Sequence, residues 1–148
     1  MTALILGSLA WRPLIWLGDA PAEVRAAAPP LGDADRRAKR LVTVVMLLLL
    51  VLLFGASFLA LRDLSGGALA FSDAALSTFL IFMTFNVVDL LLIDWLLVVT
   101  LRPGFTRLPG LGAAAAGDYA YHFRAFLKGT AGGGFLSLLL AAAAVVVL

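Results

Sequence analysis

Apolar residues fall into three long runs separated by short charged stretches, a pattern that predicts membrane-spanning helices. Residues 41–61, LVTVVMLLLLVLLFGASFLAL, and 129–148, GTAGGGFLSLLLAAAAVVVL, carry no charge, while 79–101, FLIFMTFNVVDLLLIDWLLVVTL, carry Asp89 and Asp94. Each run approaches the ~20 residues that cross about 30 Å of hydrocarbon in a helix. The opening stretch MTALILGSLAW is half that length before Arg12 and Pro13 interrupt it, and Leu14 to Leu17 then resume apolar character. Residues 1–17 therefore predict a short or truncated helix. They fit a signal peptide poorly, because no charged segment precedes the apolar core and no clear small-residue cleavage pattern follows. The predicted fold class is all-α, a transmembrane helical bundle with three full spans plus a short N-terminal helix. Residues 1–148 are expected to form one integral membrane domain with connecting loops at 18–40 and 102–128.

Composition agrees with the pattern. Hydrophobic residues make up 63% of the 148 and charged residues 14%, against soluble averages of about 45–50% and about 25%. The absence of cysteine excludes disulfides, a thiolate nucleophile and a thiolate metal site. Basic residues are unevenly placed: six at 12, 25, 36, 37, 39 and 40, four at 102, 107, 124 and 128, and only Arg62 between 62 and 78. Because basic flanks are retained on the cytoplasmic side, ten against one predicts that both long loops are cytoplasmic and that the C-terminus lies outside. The expected location is the cytoplasmic (inner) membrane, multi-pass.

Local signals place smaller elements. Asp19 is positioned to cap a short helix over AEVRAAA, which Pro29 and Pro30 stop. Asp33 is expected to cap a helix that begins ADRRAKR and runs into the 41–61 span, holding its basic turns among lipid headgroups. Such a cluster anchors the chain and attracts anionic lipid non-specifically at ~1 kcal/mol per residue. Gly66 and Gly67 predict a turn, with Ser72 or Asp73 capping the next helix. From Asp118 onward, Tyr119, His122, Phe123 and Phe126 recur at helical spacing opposite Tyr121, Arg124 and Lys128, an amphipathic approach to the last span.

Chemistry concentrates in the 79–101 span. At about 100° per residue, Asn86 and Asp89 are about 60° apart and Asp89 and Asp94 about 140°, so the three share one polar arc that also includes Thr100. Trp95 is expected on the opposite, lipid-facing side. Three readings of the arc stay open. Asn86 and a protonated Asp89 can hydrogen-bond across helices, worth nearer 0.6 than ~2 kcal/mol. Alternatively, Asp89 is neutral at rest and exchanges a proton when water reaches it. In the third reading, an aspartate pairs with Arg102, Arg124 or Lys128. His122, the single histidine, is the natural candidate to titrate near neutral pH. Alone it makes no metal site, and with Asp118 and Asp94 it completes only a weak candidate set. The candidate binding residues are Asn86, Asp89, Asp94, His122 and Arg124, with no catalytic set, metal or cofactor expected. Ala125, Gly129 and Gly133 form a small-residue ridge that lets another helix approach closely, the expected partner being the aspartate helix.

The run Phe85-Asn86-Val87-Val88-Asp89-Leu90-Leu91-Leu92-Ile93-Asp94-Trp95 is followed by Arg102-Pro103, Pro109-Gly110, Tyr121-His122-Phe123, Phe126 and Lys128-Gly129. Together with Pro13 to Val24, it resembles an uncharacterised family of small bacterial membrane proteins with about four helices. The resemblance implies a fold of that kind and no known activity. In that family the first helix is longer, and an acidic residue tends to follow Pro-Gly where this chain has Leu111 and Gly112.

These readings favour a non-enzymatic role as a small transport-related or accessory membrane protein. The alternative is a membrane enzyme acting on lipid headgroups through Asp94, Asp118 and His122 gathered at the interface. The expected partners are the lipid bilayer and either a second copy or another membrane protein; nucleic acid is not one.

Overall fold

The computed structural model describes residues 1–106 and 118–148, and among these every regular element is helical. Helix α1 is Thr2–Trp11, followed by a 3₁₀ turn Pro13–Asp19 and helix α2, Ala22–Ala27. Helix α3 is Asp33–Leu64; α4, Phe71–Val88, runs directly into a π-helical segment, Asp89–Leu101; and α5 is Tyr119–Val147. Asp33–Leu64, Phe71–Leu101 and Tyr119–Val147 are each long and apolar enough to cross a membrane, which makes the chain a multi-pass membrane protein. All three outrun their apolar runs. At 32 residues α3 is about 48 Å long, so its first charged turns stand beyond the hydrocarbon.

The spans pack as antiparallel neighbours. Phe54 and Phe58 of α3 meet Leu69 and Ala74 before and within α4 and Ala141 and Ala144 near the end of α5. The Ser57 and Ser77 hydroxyls join α3 to α4 there at 2.7 Å. The far ends of α4 and α5 converge around Asn86, Asp94 and His122. Between these levels a row of small residues on α5 faces α4. A β-carbon placed on Gly133 would lie 2.1 Å from the Phe82 ring, so the absence of a side chain is what permits the approach. The row continues through buried Ser137 and Ala141, whereas Ala125 is exposed and does not belong to it. Leu47, Leu48, Val51 and Leu52 of α3 remain exposed, as expected of a surface facing acyl chains.

The N-terminal segment folds against the basic end of α3. Residues 1–17 do not form one helix, because α1 ends at Arg12, whose backbone is extended, and Pro13 lacks the N–H that would continue the ladder. The Trp16 Nε1–H donates to Ser8 Oγ at 3.1 Å, turning the 3₁₀ segment back on α1. Arg12 Nη1 meets Asp35 Oδ1 at 2.6 Å, and Ile15 packs on Ala38 and Val42 with Trp16 and Met46 alongside. The segment is thus a wedge at one membrane boundary.

Three expected caps are corrected. Pro21 rather than Asp19 precedes α2, Gly32 rather than Asp33 precedes α3, and Ala70 rather than Ser72 or Asp73 precedes α4. Asp33 and Asp73 lie inside the first turn, where a carboxylate still favours the helix dipole without satisfying a terminal N–H; Asp33 pairs with Arg36. Asp118 does cap α5, its Oδ1 accepting from Tyr121 N at 2.7 Å. Gly66 and Gly67 adopt φ of 74° and 102°, which a side chain would resist, and reverse the chain after α3. Pro109-Gly110, Leu111 and Gly112 lie outside the described residues.

Candidate functional site

Asn86 is the first polar group of the α4–α5 contact. Its Nδ2 donates to Phe126 O at 3.2 Å and to Thr130 Oγ1 at 3.1 Å, joining the two spans. Gly129 makes room for it, since a β-carbon there would lie 3.0 Å from Asn86 Oδ1.

One turn later the helix changes pitch. From Asp89 the backbone is π-helical, so hydrogen bonds reach five residues back and each residue turns through a smaller angle than in an α-helix. Arg102 N bonds to Leu97 O at 2.8 Å and Thr100 Oγ1 to Trp95 O at 2.6 Å, both at this spacing. Asp89 and Asp94 are five apart. The wider π turn narrows the separation of about 140° expected for an α-helix, and Asp89 lies within the field of Asp94. Trp95 is half-buried: it sits edge-on to the exposed Tyr119 at 5.6 Å and tilted against the exposed Phe123 at 6.4 Å, and its Nε1–H donates to Tyr119 O at 3.3 Å. The Thr100 and Tyr119 hydroxyls meet at 2.8 Å.

The centre of the site is the contact of Asp94 Oδ2 with His122 Nδ1 at 3.0 Å, with side-chain exposures of 23% and 9%. Such shielding strengthens the contact whenever both groups are charged, relative to one in water. The expected pairing of an aspartate with Arg102, Arg124 or Lys128 is not what forms. Arg102, at φ 48°, turns its Nε onto Val99 O at 2.8 Å, and Arg124 and Lys128 are exposed. They point away because α5 presents His122, not the flanking cations, to the π-helix.

The N-terminal wedge closes the site from the side. Tyr121 stands edge-on to His122 at 5.3 Å, and its hydroxyl donates to Asp19 O at 2.9 Å. The Asp19 carboxyl lies within the fields of Asp94, Lys39, His122 and Arg25, and Asp89 feels Asp94, Asp19 and His122. Although Asp19 as a residue is exposed, protein packed about its carboxyl desolvates it. That desolvation, followed by the charge of Asp94, raises its pKa above the ordinary carboxylate value, against a smaller pull from Lys39.

The arrangement can hold and pass a proton between carboxylates and an imidazole. Asp118 Oδ1 is engaged as the α5 cap, whereas Asp94 and His122 meet each other. Among the described residues no group of three His, Asp or Glu is arranged to hold a metal ion. Sequence reasoning missed Asp19, Tyr121 and Thr130 as neighbours of the site. Nothing in a 3₁₀ turn more than 60 residues upstream announces that it returns to Asp94. A comparison with known protein families, curated proteins and solved structures returns no match.

Proposed function

We propose that this protein is a transport-related membrane protein whose Asp89, Asp94 and His122 take up and release protons at one membrane boundary. The observation that carries the reading is the shielded Asp94–His122 contact at 3.0 Å, with Asp89 five residues back along the helix and within the fields of both. Carboxylate–histidine chains within spans are characteristic of proton relays, because an ionisable group there is costly unless it is used. The basic asymmetry favours the cytoplasmic side for this boundary, and a bacterial inner membrane, with the resemblance to small bacterial four-helix proteins, is part of the same reading. The headgroup-enzyme alternative is less well supported, since it needs Asp118 free to join Asp94 and His122. The test is proton flux into proteoliposomes driven by a potassium diffusion potential and followed with an internal pH dye. Wild-type vesicles should acidify faster than protein-free ones, and Asp94→Asn and His122→Ala should remove most of the difference. Wild-type flux equal to that of empty vesicles would defeat the proposal.

A further inference from the structure

The 3₁₀ turn and the start of α3 enclose a half-open cavity of about 210 Å³, several times the ~30 Å³ share of a water molecule. Its walls change character with depth. Asp19 and Lys39 stand exposed at the lip, while Ile15 and Val42 are buried and Trp16 and Met46 half-buried below them. Lys39 comes just before the apolar run that opens at 41, and Met46 lies seven residues, about 10 Å, further along the helix axis. The cavity therefore straddles the level where headgroups give way to acyl chains.

The lip carries one charge of each sign, and Lys39 acts on Asp19 through its field without a direct ion pair between them among the described residues. There, the close acid–base contacts are Arg12–Asp35, Arg36–Asp33 and His122–Asp94. The Lys39 ammonium instead leans over Gly18, 4.0 Å from where a β-carbon would be. Two opposite charges held apart over an apolar floor suit a ligand that is dipolar at one end and oily at the other. Desolvation and the neighbouring Asp94 both work against the Asp19 carboxylate, and a cation bound beside it offsets both.

We propose that this cavity binds one zwitterionic phospholipid bearing a primary ammonium. Its phosphate meets Lys39, its ammonium donates to Asp19, and the first methylenes of a chain lie on Val42 and Met46. A lone basic cluster would attract anionic lipid without preference; the added carboxylate selects against a net negative headgroup. The N–H donors of a primary ammonium favour it over choline, whose methylated nitrogen cannot donate a hydrogen bond. This inference stands apart from the proton reading, because it uses neither Asp89 nor His122.

The test is thermal unfolding of the full chain in detergent, with added phosphatidylethanolamine, phosphatidylcholine, phosphatidylglycerol or soluble phosphoethanolamine. Phosphatidylethanolamine should raise Tm by several degrees, at least twice the shift given by either of the other lipids, and phosphoethanolamine at the same concentration should give little. Asp19→Asn should erase the preference over choline, and Lys39→Gln should at least halve the shift. Met46→Phe, which keeps the apolar character and fills the floor, should also reduce it and covers the case where a charge variant fails to fold. Equal shifts from all three lipids, an unchanged preference in Asp19→Asn, an undiminished shift in Lys39→Gln or Met46→Phe, or a full shift from phosphoethanolamine alone would each overturn the assignment.

Discussion

The Phe82 ring fills the space where a side chain at residue 133 would begin, with Cε1 only 2.1 Å from the position of a β-carbon on Gly133. Phe82 and Gly133 thus set how closely the two spans that carry the site can approach. Gly133→Ala should destabilise the detergent-solubilised protein by about 1–3 kcal/mol, the usual cost of overpacking, and Phe82→Leu should recover part of the loss in the double variant. Ala143→Leu, on an exposed stretch of α5, should be tolerated. Equal Tm values for Gly133→Leu and Ala143→Leu would remove the close-packing account.

Asn86 is held by two hydrogen bonds to α5, so Asn86→Leu should lower stability by about 0.6 kcal/mol for each bond lost, and by no more than roughly 2 in each case. Thr130→Val removes one partner while leaving the Phe126 carbonyl in place. Its effect should be the smaller of the two in a denaturation series.

Asp89→Asn keeps the shape and hydrogen-bonding capacity of the side chain while removing its ability to ionise. Insertion and Tm should survive, and proton flux in proteoliposomes should be lost. Full flux in this variant would leave Asp89 a structural group and the relay confined to Asp94 and His122.

The pKa of Asp19 is raised in the fold, so the folded chain keeps a proton that the unfolded chain has already released. Its contribution to stability is fully present below the unfolded value of about 3.9 and is lost as pH rises through the folded value. Asp19→Asn should therefore gain Tm relative to wild type as pH is taken from about 4 to 7 in lipid-free detergent. A difference that stays constant across that range would show that the carboxyl is not desolvated.

Sidedness follows from the basic asymmetry. A reporter fused after Leu148 should read as extracytoplasmic, as should one inserted at Gly66–Gly67. Activity of a cytoplasm-specific reporter at Leu148 in the native chain would reverse the orientation.

Three apolar runs, a basic excess at one end and a small-residue ridge were readable from residue order alone, because hydrocarbon demands about 20 apolar residues per helix whatever the helix packs against. Asn86 was readable as an inter-helix group, since a polar amide in lipid must find a partner. The pairing of Asp94 was not. It depends on which residue of α5 faces Asp94 after the pitch change at Asp89, and no motif in LLLIDWLLVV marks where an α-helix becomes a π-helix. The return of Asp19 to the site was equally hidden. Arg12–Asp35 and Tyr121–Asp19 join residues that are remote in sequence, and such contacts are fixed only when the wedge, α3 and α5 occupy one end of the bundle together.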